Sequence, residues 1–182
     1  MMRPLLCFAL LLASPICHAD TQLACRLSLE QTRPIRNCLS LYAEGSPKHA
    51  IADGTLHPRV TRKLCYDRND LSLVITEQGY FYVNRKGMVR STIMFDNGED
   101  YFEQGLARTR QNDKIGFFDK SLKIVIPAAH TFAFPFESGR AVVCDGCVSR
   151  AIDGGEHHIM TGGTWGWIDR KGRYHPTEEA AP

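Results

Sequence analysis

Between residues 71 and 176 the apolar residues fall into short runs, each closed by turn-forming residues. LSLVIT at Leu71–Thr76 is apolar and β-branched and is stopped by Glu77-Gln78-Gly79, which predicts a strand. YFYV at 80–83 predicts a second strand. Asn84-Arg85-Lys86-Gly87 then reads as a hairpin connection, with Asn opening a type I turn and Gly taking the left-handed position that forms a bulge. KIVI at 123–126 predicts a further strand, ended by Pro127, which has no N–H for a ladder. TFAFPF at 131–136 supplies aromatic core residues. The pattern has no helical period and predicts an all-β array of hairpins.

These pieces recur. Asn84 and Asp119 hold one turn position 35 residues apart, and Gly105 and Gly139 hold another 34 apart. Two landmarks at nearly one offset indicate an internal repeat of about three short strands per unit. Asp169-Arg170-Lys171-Gly172 repeats the first turn, but Asp169 follows Asp119 by 50 residues. The last copy is therefore preceded by an insertion, residues 145–163, about 15 residues beyond the repeat length. The middle turn, Asp119-Lys120-Ser121-Leu122, puts Leu at the Gly position. A left-handed Leu costs about 1–2 kcal/mol, so this turn is expected to differ locally.

Residues 20–70 break the pattern. Residues 24–42 have mixed periodicity around Pro34, and 42–58 are rich in Gly, Pro, His and small residues. An irregular N-terminal cap with room for one short helix is expected, since repeat arrays need atypical ends. Residues 1–19 read as a secretory signal: Arg3, an apolar run at 5–13, and Cys17-His18-Ala19 as the cleavage site. Cys17 makes a poor lipoprotein site because Ile16 stands where a small residue is needed. The division expected is 1–19 signal peptide, 20–70 cap, 71–176 repeat domain and 177–182 disordered tail, in a periplasmic or secreted protein without a transmembrane segment.

Charge is nearly balanced, 22 Lys+Arg against 20 Asp+Glu, with no basic block. That argues against nucleic acid or a polybasic membrane surface as partner. Of seven cysteines, Cys7 and Cys17 leave with the signal; Cys25, Cys38, Cys65, Cys144 and Cys147 stay, an odd number in an oxidising compartment. Cys25 with Cys38 closes the shortest loop among the first three.

Trp165-Gly166-Trp167-Ile168-Asp169-Arg170-Lys171-Gly172 resembles the WG repeat, W-G-[FYW]-[IV]-D-x-x-G followed by an apolar strand, an aromatic stretch and F-x-x-G-x-A-x-V. Residues 115–143 resemble it along their length. Residues 80–109 do so more loosely, with Phe81 for the Gly and Asn84 for the Asp. The copy at 164–176 is half a repeat. The resemblance implies a repeated β scaffold used for binding, in a mostly bacterial family without shared catalytic residues. Some members similar to this chain carry C-x-G-C, G-E-H and G-G-x-W-G, here at Cys144–Cys147, 155–157 and 162–166.

The insertion is the sharpest candidate for chemistry. Asp145-Gly146 signals a two-residue hairpin, which makes Cys144 and Cys147 flanking positions within disulfide reach, the reading placed first. Zinc held by Cys144, Cys147, His157 and His158 is a second, and a reactive dithiol a third. His157 and His158, beside Gly154-Gly155, also suit exposed loop positions. Trp165 and Trp167, at alternating strand positions, suit packing better than a sugar platform. Glu103 and Glu137 hold equivalent turn positions, and no G-x-S-x-G, H-E-x-x-H or P-loop is present. The function expected is a non-catalytic, exported protein, without a cofactor, that recognises a protein or envelope component through Asp145, Gly146, Arg150, Glu156 and His157. The alternative is a metal-binding (zinc) or thiol-active protein using Cys144, Cys147 and His157.

Overall fold

The structure, a computed structural model, describes residues 21–26, 35–41, 53–95, 98–155 and 157–177, with side chains described from residue 54 onward. Six strands close an antiparallel barrel: β1 (Thr21–Arg26), β2 (Ile35–Leu41), β3 (Asp53–Leu56), β4 (Leu71–Thr76), β5 (Gly79–Asn84) and β6 (Met88–Thr92), in the order β1-β2-β3-β6-β5-β4. A single turn of helix, α1 (Pro58–Thr61), leads from β3 toward β4. The segment read as an irregular cap thus contributes three strands and the one short helix. Leu56, Val60, Val74, Phe81, Val83 and Val89 fill the barrel. No described helix is long and apolar enough to cross a membrane.

A short ribbon, β7 (Met94–Phe95) with β8 (Gly98–Glu99), follows the barrel. Next comes the sheet β11-β10-β9, made of β9 (Leu106–Gln111), β10 (Lys114–Asp119) and β11 (Ile124–His130). The last large sheet runs β12-β13-β16-β17, from β12 (Phe132–Ala133), β13 (Arg140–Asp145), β16 (Thr164–Asp169) and β17 (Tyr174–Pro176). Between β13 and β16 lies a separate two-stranded sheet, β14 (Val148–Ile152) with β15 (His157–Thr161). The repeat is therefore a three-stranded meander present three times: β4-β5-β6, β9-β10-β11 and β13-β16-β17.

One turn recurs in all three. The Oδ1 atoms of Asn84, Asp119 and Asp169 each accept two backbone N–H groups: Lys86 and Met88 (3.0 and 3.0 Å), Ser121 and Lys123 (2.8 and 3.1 Å), Lys171 and Arg173 (2.8 and 3.0 Å). Gly87, Leu122 and Gly172 close it at φ 79°, 64° and 76°. The expectation that the middle turn differs is corrected: Leu122 takes the left-handed conformation. Its side chain is fully buried among Leu71, Ala107 and Phe118, and its carbonyl accepts Arg90 Nε and Nη2 at 3.1 and 2.8 Å. Burying a Leu contributes about 1.5–3 kcal/mol, which offsets the conformational cost.

The units stack because each middle strand is apolar on both faces. In β9 and β10, Ala107 and Phe118 face the barrel with Leu71, while Leu106, Ile115 and Phe117 face the third unit with Phe136, Ala141, Val143 and Ile168. Neighbouring residues on one strand point to opposite faces, so a single strand serves two cores. Tight turns meet across the junctions: Gly139 N–H donates to Gln104 Oε1 at 3.0 Å, and Arg170 Nη1 to the Gln104 carbonyl at 2.9 Å.

The glycines at the repeat landmarks have two different reasons. Gly105 and Gly139 sit at φ 82° and 81° in two-residue turns, with open space where a Cβ would go. A Cβ on Gly166 would instead lie 2.4 Å from the Tyr174 ring, and one on Gly116 would lie 2.6 and 2.7 Å from Ala128 N and Ile126 O. The third strand folds back over these positions. In the barrel β6 leaves to pair with β3, and Phe81 fills the corresponding place. Gly116→Ala is expected to cost about 2–3 kcal/mol by overpacking against backbone. Gly98→Ala, with nothing within 4 Å of the added Cβ, should stay within about 0.5 kcal/mol, and urea titration of the two variants makes the comparison.

Candidate recognition hairpin

In the first two units the opening strands are joined by two-residue turns, with Thr76 opposite Gly79 and Gln111 opposite Lys114. In the third, Asp145 lies opposite Thr164, and residues 146–163 stand where those two turn residues would be. The insertion is thus an elaborated hairpin turn within a unit. Gly146 turns the chain at φ 73°, but β13 and β14 do not pair; β14 pairs with β15. The hairpin read at Asp145-Gly146 is corrected to an exit from the sheet, because β13 already has β12 and β16 as neighbours.

Cys144 and Cys147 are joined as a disulfide across this exit, with Cα atoms 6.0 Å apart. Both are buried and pack with Trp165, with Phe132, Val142 and Met160 around them. A buried disulfide is shielded from attacking thiolates, which disfavours the reactive-dithiol reading. Trp165 Nε1 donates to the Gly162 carbonyl at 2.8 Å. Gly163, at φ 71°, has Cys147 N and Asp145 O where a Cβ would lie, 2.4 and 2.5 Å from it.

Asp145 anchors the other side of the root. Its carboxylate lies 2.8 Å from His130 Nδ1, 3.2 Å from Thr131 N and 3.4 Å from Lys114 Nζ. Burial pushes this carboxyl up, but the His130 hydrogen bond and charge, the Thr131 N–H and Lys114 together hold it below its ordinary value. Thr131 Oγ1 also accepts Gly146 N–H at 3.1 Å. His130, Thr131 and Lys114 carried no signal in the sequence, since they stand 14–31 residues from Asp145 and only the sheet register brings them to it.

Beyond the root the hairpin stands clear of the other sheets. Met160 is half-buried against the disulfide cluster, and strand alternation puts Ser149, Ala151 and His158 on its side. Val148, Arg150, Ile152, His157 and Ile159 share the other side, through the pairs Val148 with Thr161, Arg150 with Ile159, and Ile152 with His157. Val148 is 63% and Ile159 43% exposed. Two aliphatic side chains, a guanidinium and an imidazole therefore form one solvent-facing strip.

Of the predicted recognition residues, the structure brings Arg150 and His157 together on this face and leaves Asp145 and Gly146 at the root. Glu156 lies outside the described residues. The zinc set is not assembled: the cysteines are bonded to one another at the root, whereas His157 pairs with Ile152 near the tip, four ladder steps or about 13 Å from Val148. Among the described residues no group of three or more His, Cys, Asp or Glu is placed to hold a metal. Glu103 and Glu137 are exposed turn residues, each bridged to the residue three further on. Cys65 is free and exposed; Cys25 and Cys38 lie on β1 and β2 with side chains outside the described residues, and so does any pairing between them.

Residues 80–114 and 115–146 match the family model for the WG containing repeat. Neither a curated protein nor a solved structure matches the chain.

Proposed function

Because the chain carries two adjacent WG repeats across residues 80–146, we propose that it is an exported, non-catalytic binding protein whose β scaffold presents the β14–β15 hairpin to a protein partner in the cell envelope. The observation that carries this reading is the hairpin itself. A two-stranded hairpin alone is marginal in water. Here it is clipped by a disulfide and by Asp145 at its root, yet leaves Val148 and Ile159 in solvent. Exposed aliphatic side chains on a pre-ordered element gain from docking while losing little entropy on binding. Arg150 and His157 beside them favour a partner with carboxylates next to apolar groups. Export rests on the signal-like residues 1–19 and on a disulfide suited to an oxidising compartment. The reading assigns no catalytic residue and no cofactor.

The test is to join Val148 to Met160 through Asn-Gly, which removes residues 149–159 and keeps Cys147 and Met160. Because the excised residues lie outside the buried clusters, stability should change by no more than about 1 kcal/mol, while capture of the partner from envelope extract is lost. Unfolding of the shortened protein would make the hairpin a packing element. Retained capture would place the site elsewhere on the array.

A further inference from the structure

Most sheet edges in this chain are closed, and each closure has a visible means. The barrel has no edge, since β1 to β6 close on themselves. On the outer edge of β9 the Arg108 N–H donates to Asp100 Oδ2 at 2.7 Å, and the Arg108 carbonyl accepts Thr92 Oγ1 at 3.1 Å. In the third unit Phe134 and Val142 hold the places of Asp100 and Arg108, and there the Phe134 N–H donates to the Val142 carbonyl at 2.8 Å. β12 itself is two residues long, and its Ala133 carbonyl accepts Arg108 Nη1 at 2.8 Å. β11 is bulged twice against β10 and carries Pro127; β17 carries Pro176. β7 and β8 are two residues each. Bulges, prolines, short strands and side-chain covers keep unpaired N–H and C=O groups from pairing with another chain.

The outer edge of β14 has no such closure. The strand is five residues long, pairs with β15 in unbroken register, and contains neither Pro nor Lys. Its sheet has two strands, so the edge away from β15 meets no other strand, and among the described residues no hydrogen bond reaches it. Val148, Ser149, Arg150 and Ala151 are all exposed. β15 is less open, since it ends in half-buried Met160 and Thr161, with Met160 against the disulfide cluster. The one charge on β14, Arg150, forms no ion pair among the described residues.

Building on the hairpin reading above, we propose that β14 takes its protein partner by strand addition: an extended segment of that partner pairs along residues 148–152 and makes the hairpin three-stranded. Main-chain bonds to the open edge supply affinity, and alternate side chains supply selection. Val148, Arg150 and Ile152 stand in a row on the outward side. The segment that fits therefore carries a carboxylate opposite Arg150, between two apolar residues. Ser149 and Ala151, on the other side, are small and exposed and impose no charge. A second copy of the chain suits this edge poorly. Full antiparallel overlap of two β14 strands sets Arg150 against Arg150, and like charges directly opposite destabilise a sheet.

The probe is a blocked synthetic peptide, threonine-valine-threonine-glutamate-threonine-valine-threonine, added at about 1 mM to the disulfide-intact chain. Amide exchange followed residue by residue should slow at alternate positions of β14, because successive N–H groups of a strand point to opposite edges. Two N-methylated forms of the peptide separate strand addition from side-chain docking. One is methylated at the threonines and the other at the valines and glutamate, and every side chain is kept. Only one set of N–H groups can face β14, so one form should bind like the parent. The other should bind about tenfold more weakly or worse, having lost two or three main-chain bonds. Arg150→Glu, at an exposed position, should exchange the preference for this peptide for its lysine counterpart. Equal affinity of the two methylated forms would overturn the proposal, as would a β14 that the peptide does not protect or a charge preference that Arg150→Glu leaves unchanged. Protection of β14 that rises with chain concentration in the absence of peptide would replace the partner segment with a second copy and overturn it as well. The hairpin reading is scored separately, on capture by the wild type and its loss when residues 149–159 are removed, so strand addition can fail while that reading stands.

Discussion

Arg108→Ala is expected to lower stability by about 3–5 kcal/mol, a large share of what a domain of this size possesses. Arg108 and Asp100 are each 1% exposed, at the junction between β9 and its neighbours. Asp100 Oδ1 lies 2.5 Å from Arg108 Nη2; Oδ2 accepts Nε at 3.0 Å and the Arg108 backbone N–H at 2.7 Å. The remaining arm donates to the Ala133 carbonyl at 2.8 Å, and the guanidinium lies 4.6 Å from the Phe95 ring centre. Truncating the arginine leaves a carboxylate buried with one backbone donor, and that uncompensated charge carries most of the cost. The third unit shows how the same positions accept apolar residues, with Phe134 and Val142 in place of Asp100 and Arg108. Asp100→Phe with Arg108→Val should therefore recover most of the loss. Urea titration of the single and double variants gives the comparison, and a double variant as unstable as Arg108→Ala would mean that the pair itself, not its desolvation, holds the junction.

How much of this was legible depended on whether a contact was local. The Asn84, Asp119 and Asp169 turns could be read because the Asx side chain and the residue that closes each turn lie within four positions. The all-β class and the resemblance to the WG repeat could be read because the turn and glycine landmarks recur at nearly one offset, and two of the copies match the family model. The barrel could not: β1 to β3 close it through pairings such as Cys25 with Thr76 and Gly54 with Val89, and their periodicity is mixed. The disulfide was legible from spacing, but its setting was not, since β13 pairs forward to β16 and not to β14. In the hairpin, Arg150 and His157 were picked out as polar residues in a glycine-rich stretch. That Val148 and Ile159 stand outward beside them needed the register. Their apolar character alone suggests core anchors, but the register turns both outward, and it is Met160 that packs on the disulfide cluster.

Leu122 should reverse the usual order of glycine and alanine substitution. At most buried positions Leu→Gly costs more than Leu→Ala, because glycine adds backbone entropy to the lost side chain. At φ 64° the comparison changes. Leu122→Ala loses the contacts with Leu71, Ala107 and Phe118 and keeps the left-handed strain, so about 3–5 kcal/mol is expected. Leu122→Gly loses the same contacts but relieves about 1–2 kcal/mol of strain, restoring the residue found at 87 and 172. It should therefore be the more stable of the two, though still well below the wild type. The Arg90 bonds to the residue 122 carbonyl are made to backbone and survive both changes, so the difference isolates conformation. Parallel thermal and urea unfolding of the two variants decides the matter. If alanine proves the more stable, the turn relaxes on losing Leu122, and the left-handed conformation is imposed by the packing of that side chain.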